Sequence, residues 1–243
     1  MNITANFSPN FEVKKRKKQD IKFIIFHYTG MKRESDAIKK LTSEKSKVSS
    51  HYFIKNNGQI LSLVPDLYVA WHAGVSAWRK YKSINKFSIG VEISNPGHDN
   101  NYKNFSKKQI NAILKLVKFL IKKYNIKDSC ILGHSDIAPD RKIDPGEKFP
   151  WKYFSKNKIG YWYELKKDYL KKKRNIKLRK NDKFKFIKNL NKIGYQVNTI
   201  AKKSNYSKII TRAFQRRFRP ELINGIIDLE CLLISKNLLK KFK

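Results

Sequence analysis

The stretch most suited to chemistry is the loop at residues 133–146, which brings one histidine, several carboxylates and one lysine close together along the chain. A short apolar run at residues 129–132 precedes it and has the character of a buried strand. Pro139 and Pro145 disfavour helix and sheet within the loop, and the glycines at its two ends permit tight bends. Because a rigid strand can hold the side chains of such a loop in place, we expect this loop to be the metal-binding part of a hydrolase.

A second histidine follows another strand-like run. Residues 21–26 are apolar and rich in β-branched and aromatic side chains, which predicts a central strand buried on both faces, and His27 comes next. Alone, His27 would be read as an ordinary strand-end histidine, but His134 also follows a strand, so a pair of metal ligands is the better interpretation. Two histidines and one carboxylate on separate loops leave a fourth position open for water, which is the pattern of catalytic zinc sites.

Two further residues could complete an amide hydrolase. Glu92 lies within the apolar run at residues 87–93, where an unpaired charge is costly to bury, and a raised pKa would suit it to proton transfer at a metal-bound water. The alternative is a glutamate on an edge strand that faces solvent. Lys142 could stabilise the developing oxyanion. Spacing along the chain does not by itself show that these residues converge.

A compact loop at residues 70–74 contains Trp71 and His72 and could form one wall of a cleft. His72 could bind metal, contact substrate or form a hydrogen bond within the loop, and we favour substrate contact. His51 lies in the first arm of a predicted hairpin, whose Asn-Gly turn at residues 57–58 joins two β-type runs. We interpret His51 as a packed strand histidine, with lining of the site as the alternative.

The order of elements predicts an α/β fold with a separate tail. Residues 106–124 carry the apolar spacing of an amphipathic helix that would cover the sheet. We predict a catalytic domain at residues 1–170, a strongly basic linker at residues 171–185 and a small bundle of three short helices at residues 186–243.

The chain of 243 residues has 55 lysines and arginines against 19 acidic residues, a formal net charge of +36. This charge favours contact with anionic polymers, carboxylate-bearing peptides or acidic membrane surfaces. The lysines are spread along nearly the whole chain, and the spacings of a helix-turn-helix or zinc finger are absent from the sequence, so we expect no specific nucleic-acid binding.

No apolar run approaches the roughly 20 residues that span a bilayer, so no transmembrane segment is expected. The first residues lack the basic-then-apolar order of a signal peptide, which predicts a cytoplasmic protein. A wall-binding tail would instead favour the periplasm, and that alternative stays open.

Several separate motifs, in the right order over roughly the first 155 residues, resemble one known family. The similarity is to the zinc-dependent N-acetylmuramoyl-L-alanine amidases of the type 2, AmpD/AmiD-like group. The motifs that carry it are residues 26–30, 50–52, 71–74, 90–92, 133–139 and 142–146.

The resemblance implies a fold related to the peptidoglycan-recognition proteins, with a mixed central sheet flanked by helices. Zinc would be held by His27, His134 and Asp144, with Glu92 as the general base for attack by zinc-bound water and Lys142 supporting the tetrahedral intermediate. The bond cleaved would join the lactyl group of N-acetylmuramic acid to L-alanine, in peptidoglycan or in soluble muropeptides. By the same resemblance, the loop that holds residues 71–72 would lie near the substrate.

The tail from about Leu190, especially residues 209–220, is similar to the three-helix peptidoglycan-binding modules appended to some of these amidases. Residues 202–204 replace that module's usual acidic and glycine-rich turn, so a docking or structural role is an open alternative. We expect a monomer. The main rival to an enzyme is a non-catalytic peptidoglycan-binding protein, but all three ligand positions hold competent residues, which argues against it.

Overall fold

The computed structural model describes residues 2–197 and 205–242, so residues 202–204 of the tail lie outside the described residues. Within the described residues the chain forms ten strands. They are β1 Ile3–Ala5, β2 Phe11–Glu12, β3 Phe23–Tyr28, β4 Tyr52–Ile54, β5 Ile60–Ser62, β6 Val69–Ala70, β7 Ala77–Trp78, β8 Tyr81–Lys82, β9 Ser88–Ile93 and β10 Ile131–Gly133.

The described residues also form eight α-helices, and none of them is both long and apolar enough to cross a membrane. The helices are α1 Glu34–Thr42, α2 Lys107–Tyr124, α3 His134–Ile137, α4 Trp151–Lys156, α5 Lys167–Lys171, α6 Lys180–Ile193, α7 Tyr206–Phe218 and α8 Leu229–Leu239.

Six strands form one mixed sheet in the order β1-β5-β4-β9-β3-β10. The β4–β5 pair is antiparallel, as the Asn-Gly turn predicts, and the other four pairings are parallel. The two remaining strand pairs, β2 with β6 and β7 with β8, are short antiparallel ribbons. The predicted α/β fold, with a mixed central sheet flanked by helices, is confirmed.

The central strand β3 is buried on both faces because alternate side chains enter two different hydrophobic clusters. Ile24 and Phe26 pack on the side covered by α2, and Phe23 and Ile25 pack on the other side. Helix α2 begins as predicted, since Ser106 and the side chain of Gln109 exchange the two hydrogen bonds of a capping box. Each apolar side chain that is fully buried in these clusters contributes about 1.5–3 kcal/mol.

The tail helices cover the second face of the sheet. Phe186 and Leu190 of α6 and Phe214 of α7 belong to the same hydrophobic cluster as Phe23 and Ile25 of β3. We expected a separate bundle, but the apolar face of β3 needs a cover, and these helices supply it. Helix α6 also begins inside the range predicted as a linker. The domain boundaries themselves stay a prediction.

Candidate active site

Three neighbouring parallel strands end at the same edge of the sheet and carry the candidate residues there. His27 near the end of β3 is paired in register with Glu92 of β9, so both side chains lie on the same face of the sheet. On the other side of β3, Gly133 of β10 is in register with Phe26, and His134 follows directly. The sheet order therefore places two histidines and a partly buried glutamate side by side.

Asp144 reaches these histidines from the loop that follows α3. Its Oδ2 lies 3.0 Å from Nδ1 of His27 and 3.1 Å from Nδ1 of His134, and the two Nδ1 atoms are 3.0 Å apart. The N–H of Ser135 donates to the carbonyl oxygen of Asp144 at 2.8 Å, which ties the loop to the first turn of α3. All three side chains are buried.

The tautomer of His27 follows from a chain of hydrogen bonds behind it. The hydroxyl of Ser88 donates to the carbonyl of Ile84, so its oxygen accepts from Nε2–H of His72. Nδ1 of His72 is then an acceptor, and it receives Nε2–H of His27 at 3.0 Å. Gly90 makes room for this arrangement, because a Cβ at that position would lie 2.5 Å from the His72 ring.

His134 is fixed in the same tautomer by the backbone, since its Nε2–H donates to the carbonyl of Ala73 at 3.1 Å. Three lone pairs therefore face one another: Nδ1 of His27, Nδ1 of His134 and Oδ2 of Asp144. These atoms are acceptors about 3 Å apart with no proton to share, so a cation is the natural occupant of the space between them. Two imidazoles and one carboxylate are a donor set that suits zinc and leaves a fourth position open.

Burial and local charge keep this donor set in the form that a metal needs. Burial, together with the neighbouring His134, lowers the pKa of His27 to about 4. Burial alone would raise the pKa of Asp144, but at acid pH its attraction to the imidazoles of His134 and His27, once these carry a proton, outweighs burial and holds that pKa well below its usual range. At neutral pH His27 is consequently neutral and Asp144 is ionised, so both can bind a cation without first losing a proton.

Glu92 has a different environment from Asp144. Burial, together with the negative charge of Asp144, raises the pKa of Glu92 to about 8. Among the residues that the structure describes, its Oε2 has no hydrogen-bond partner. A buried carboxyl oxygen without a donor is poorly suited to a structural role and well suited to exchanging a proton with a substrate or water.

These residues open into a cavity of about 460 Å³ whose lining includes Trp71, His72, Glu92 and Lys142. Trp71 is partly exposed and forms part of the cavity wall, and its contact with substrate stays a prediction. His72 is buried and hydrogen bonded to His27 and Ser88. Both ring nitrogens of His72 are thus hydrogen bonded within the protein, one of them to the candidate metal ligand His27. Contact of His72 with substrate stays a prediction.

Sequence reasoning missed one cation beside the site. Arg141 donates to the carbonyls of Ala73 and Val75, so it fixes the carbonyl that orients His134. The position of Arg141 next to Lys142, in a loop rich in charged residues, was the feature of the sequence that could have indicated its role. His51 lies directly before β4 rather than within it, and it is fully buried, with its Nδ1 accepting from the N–H of Gly90. It is not among the residues that line the cavity.

Comparison with known proteins agrees with this site. A family model described as N-acetylmuramoyl-L-alanine amidase matches residues 17–147, which include His27, Glu92, His134 and Asp144. The N-acetylmuramoyl-L-alanine amidase AmiD of Escherichia coli is 35% identical over an alignment of 234 residues, which covers 91% of this chain and 83% of that protein. The 1,6-anhydro-N-acetylmuramyl-L-alanine amidase AmpD of Haemophilus influenzae is 33% identical over 60% of this chain and 87% of its own length.

Solved structures show the same likeness. The complex of AmiD from E. coli with the substrate anhydro-N-acetylmuramic acid-L-Ala-D-γ-Glu-L-Lys has a TM-score of 0.81 and 34% identity, and covers 92% of this chain and 90% of that one. AmpDh3 from Pseudomonas aeruginosa in complex with an anhydromuramic pentapeptide has a TM-score of 0.81 and 29% identity over 96% of this chain and 97% of that one. The type 2 resemblance is thus confirmed, and the chain belongs to the N-acetylmuramoyl-L-alanine amidase family.

Proposed function

We propose that the chain is a zinc-dependent hydrolase that cleaves the amide bond between N-acetylmuramic acid and L-alanine in peptidoglycan or muropeptides. The observation that carries the proposal is the convergence of three lone pairs, from His27, His134 and Asp144, at the floor of the cavity that Glu92 also lines. The family to which the chain belongs and the muropeptide substrates named for AmiD and AmpDh3 support the choice of bond.

The three candidate ligands fit zinc because each has a fixed and unprotonated donor atom. Bound zinc would act as a Lewis acid, which lowers the pKa of water and polarises the amide carbonyl. His72 and the carbonyl of Ala73 hold the two imidazoles in place from behind. Such supporting hydrogen bonds fix the direction of the ligands before any metal arrives.

Glu92 is the proton carrier in this proposal. Its Oε2 accepts a proton from the attacking water and later returns that proton to the nitrogen of the leaving alanine. A pKa of about 8 lies close to neutral, so the same oxygen can serve in both steps.

Lys142 and Trp71 have supporting roles. Lys142 lines the cavity and carries the positive charge that would stabilise the oxygen of the tetrahedral intermediate. Trp71 offers an aromatic surface at the cavity wall, against which the sugar or the peptide can pack.

The experiment uses the purified chain with two substrates, intact sacculi and soluble anhydro-muropeptides, and identifies the products by mass spectrometry. We expect free stem peptides that begin with L-alanine, from at least one substrate. The better substrate then distinguishes cell-wall remodelling from muropeptide recycling. If neither substrate releases peptide while the protein sediments with sacculi, the chain is a binding protein and the proposal is wrong.

A further inference from the structure

A buried ion pair joins the tail to the turn that carries His134. Nη1 of Arg217, on α7, donates to Oδ2 of Asp136 at 2.7 Å, and both side chains are only 1% exposed. Asp136 lies in the same four-residue helix as His134. An arginine that is 81 residues further along the chain therefore contacts the turn of a candidate ligand.

Asp136 is held from three directions. Its Oδ2 also accepts the N–H of Gly133 at 2.8 Å, and its Oδ1 accepts the hydroxyl of Tyr195 at 2.7 Å. Nη2 of Arg217 donates in addition to the carbonyl of Ile131 at the start of β10. The guanidinium thus bridges the beginning of the strand and the turn that follows it, which fixes the direction in which the chain leaves β10.

The same contacts extend to Asp144. The guanidinium of Arg217 stacks on the ring of Trp151 at 4.1 Å. Trp151 and Pro145 enclose Gly133 so closely that a Cβ there would lie 3.3 Å and 2.7 Å from them. The N–H of Ser135, in the same turn, donates to the carbonyl oxygen of Asp144. The turn anchored by Asp136 therefore determines the positions of two candidate ligands, His134 and Asp144.

We propose that Arg217 and Tyr195 are positioning residues, which hold the α3 turn so that His134 and Asp144 are arranged for metal binding. The inference rests on the zinc site proposed above. The tail then helps to arrange the catalytic site from behind, whether or not it binds the cell wall. Supporting residues of this kind typically change metal affinity 10- to 100-fold when they are removed.

Arg219 provides a matched control. Its side chain is also 1% exposed and forms ion pairs with Asp228 at 2.5 Å and Glu230 at 3.3 Å, all within the tail. Arg217→Gln and Arg219→Gln each remove a buried arginine from a carboxylate partner, so both variants should lose thermal stability. Of these two arginines, Arg217 donates to the turn that carries His134, whereas the ion pairs of Arg219 lie within residues 219–230.

The experiment measures the zinc dissociation constant of the full chain by competition with a chelator, at a temperature where circular dichroism shows each variant to be folded. We expect Arg217→Gln to raise the dissociation constant about 10-fold and Arg219→Gln to change it less than about twofold. Arg217→Lys should give an intermediate value, because a single ammonium cannot bridge Asp136 and Ile131. With zinc saturating, kcat of Arg217→Gln should fall while KM changes little, since Arg217 is not among the residues that line the cavity.

Equal effects of Arg217→Gln and Arg219→Gln on the dissociation constant, or a wild-type value for Arg217→Gln, would overturn the inference. If Arg217→Gln does not fold, Tyr195→Phe removes a single hydroxyl from Asp136 and should still raise the constant a few-fold, and no change would also overturn it. If the wild-type chain itself binds no zinc, the proposed zinc site is wrong. If the wild type and all variants bind zinc equally, the zinc site stands and only the positioning role of Arg217 and Tyr195 is wrong.

Discussion

Two buried aspartates of this protein have nearly the same exposure and opposite surroundings. The side chain of Asp66 is 7% exposed and accepts hydrogen bonds from Tyr52, Tyr124 and Lys123 at 2.6–2.8 Å. The side chain of Asp144 is 10% exposed, and its Oδ2 faces two imidazole nitrogens that have no proton to donate. The carboxylate of Asp66 is therefore paired with donors from the protein, whereas that of Asp144 is placed to bind a cation.

Burial alone would therefore not have identified the functional carboxylate. Burial would raise the pKa of Asp66, but hydrogen bonds from Lys123, Tyr124 and Tyr52 outweigh it and hold the pKa below the usual value. In the described part of the chain no group donates to Oε2 of Glu92, and burial together with the charge of Asp144 raises its pKa to about 8. A buried acid with its donors in place stabilises the fold, whereas a buried acid without them is available for chemistry.

The largest effect is expected from Asp144→Ala. This change removes one of three candidate ligands, so zinc should not be retained through gel filtration and cleavage of a muramyl peptide should fall to background. Metal content by mass spectrometry and product release measure the two effects. Wild-type turnover by Asp144→Ala, or by His134→Ala, would remove the ligand assignment.

Glu92→Gln should separate catalysis from metal binding. Glutamine has nearly the same shape but cannot accept a proton, so kcat should fall about 10²- to 10⁴-fold while zinc content stays at one per chain. Steady-state kinetics and metal analysis of the same sample test this. Glu12→Gln, on an exposed residue, is the control, and a Glu92→Gln variant that keeps the kcat of this control would exclude Glu92 as the base.

Asp66→Asn should lower the stability of the fold and leave the candidate metal site unchanged. The loss of a charged acceptor should lower the free energy of unfolding at pH 7 by about 1–3 kcal/mol and leave zinc affinity unchanged. Because the pKa of Asp66 is lowered in the folded state, its contribution is present above about pH 4 and is lost as the pH falls further. Urea unfolding at several pH values should thus show the difference between wild type and Asp66→Asn shrinking in acid, and a constant difference would contradict the account.

The smallest effect is expected from Ser88→Ala. His72 would lose the acceptor for its Nε2–H, and its hold on His27 would weaken, so zinc affinity should fall by a few-fold and by less than about 10-fold. Chelator competition measures the change, with Ser155→Ala on α4 as the control. Identical zinc affinity in the two variants would show that the hydrogen bonds from Ser88 through His72 do not support His27.

Local patterns in the sequence predicted the parts of the fold that depend on neighbours in the chain. The apolar run of β3, the Asn-Gly hairpin and the capping box at Ser106 each have a local physical cause, and each was predicted correctly. The motifs at the ends of β3 and β10 also indicated which residues could do chemistry.

Partners that are distant in the sequence could not be predicted in this way. Tyr124 and Asp66 are 58 residues apart, and Arg217 and Asp136 are 81 residues apart, so no local periodicity links them. His72 was predicted to contact substrate, and only the three-dimensional arrangement shows it bonded to His27. The cover that α6 and α7 provide for β3 was missed for the same reason.

The central claim is that water cleaves the bond between the lactyl group and L-alanine at the His27, His134 and Asp144 site. The most direct measurement is mass spectrometry of the products of an anhydro-muropeptide cleaved in ¹⁸O-labelled water by the zinc-loaded chain, with Asp144→Ala in parallel. The account predicts one ¹⁸O atom in the new muramyl carboxylate, none in the released peptide, and no products from Asp144→Ala. Label in the peptide, equal cleavage by Asp144→Ala, or no cleavage by the wild-type chain would contradict it.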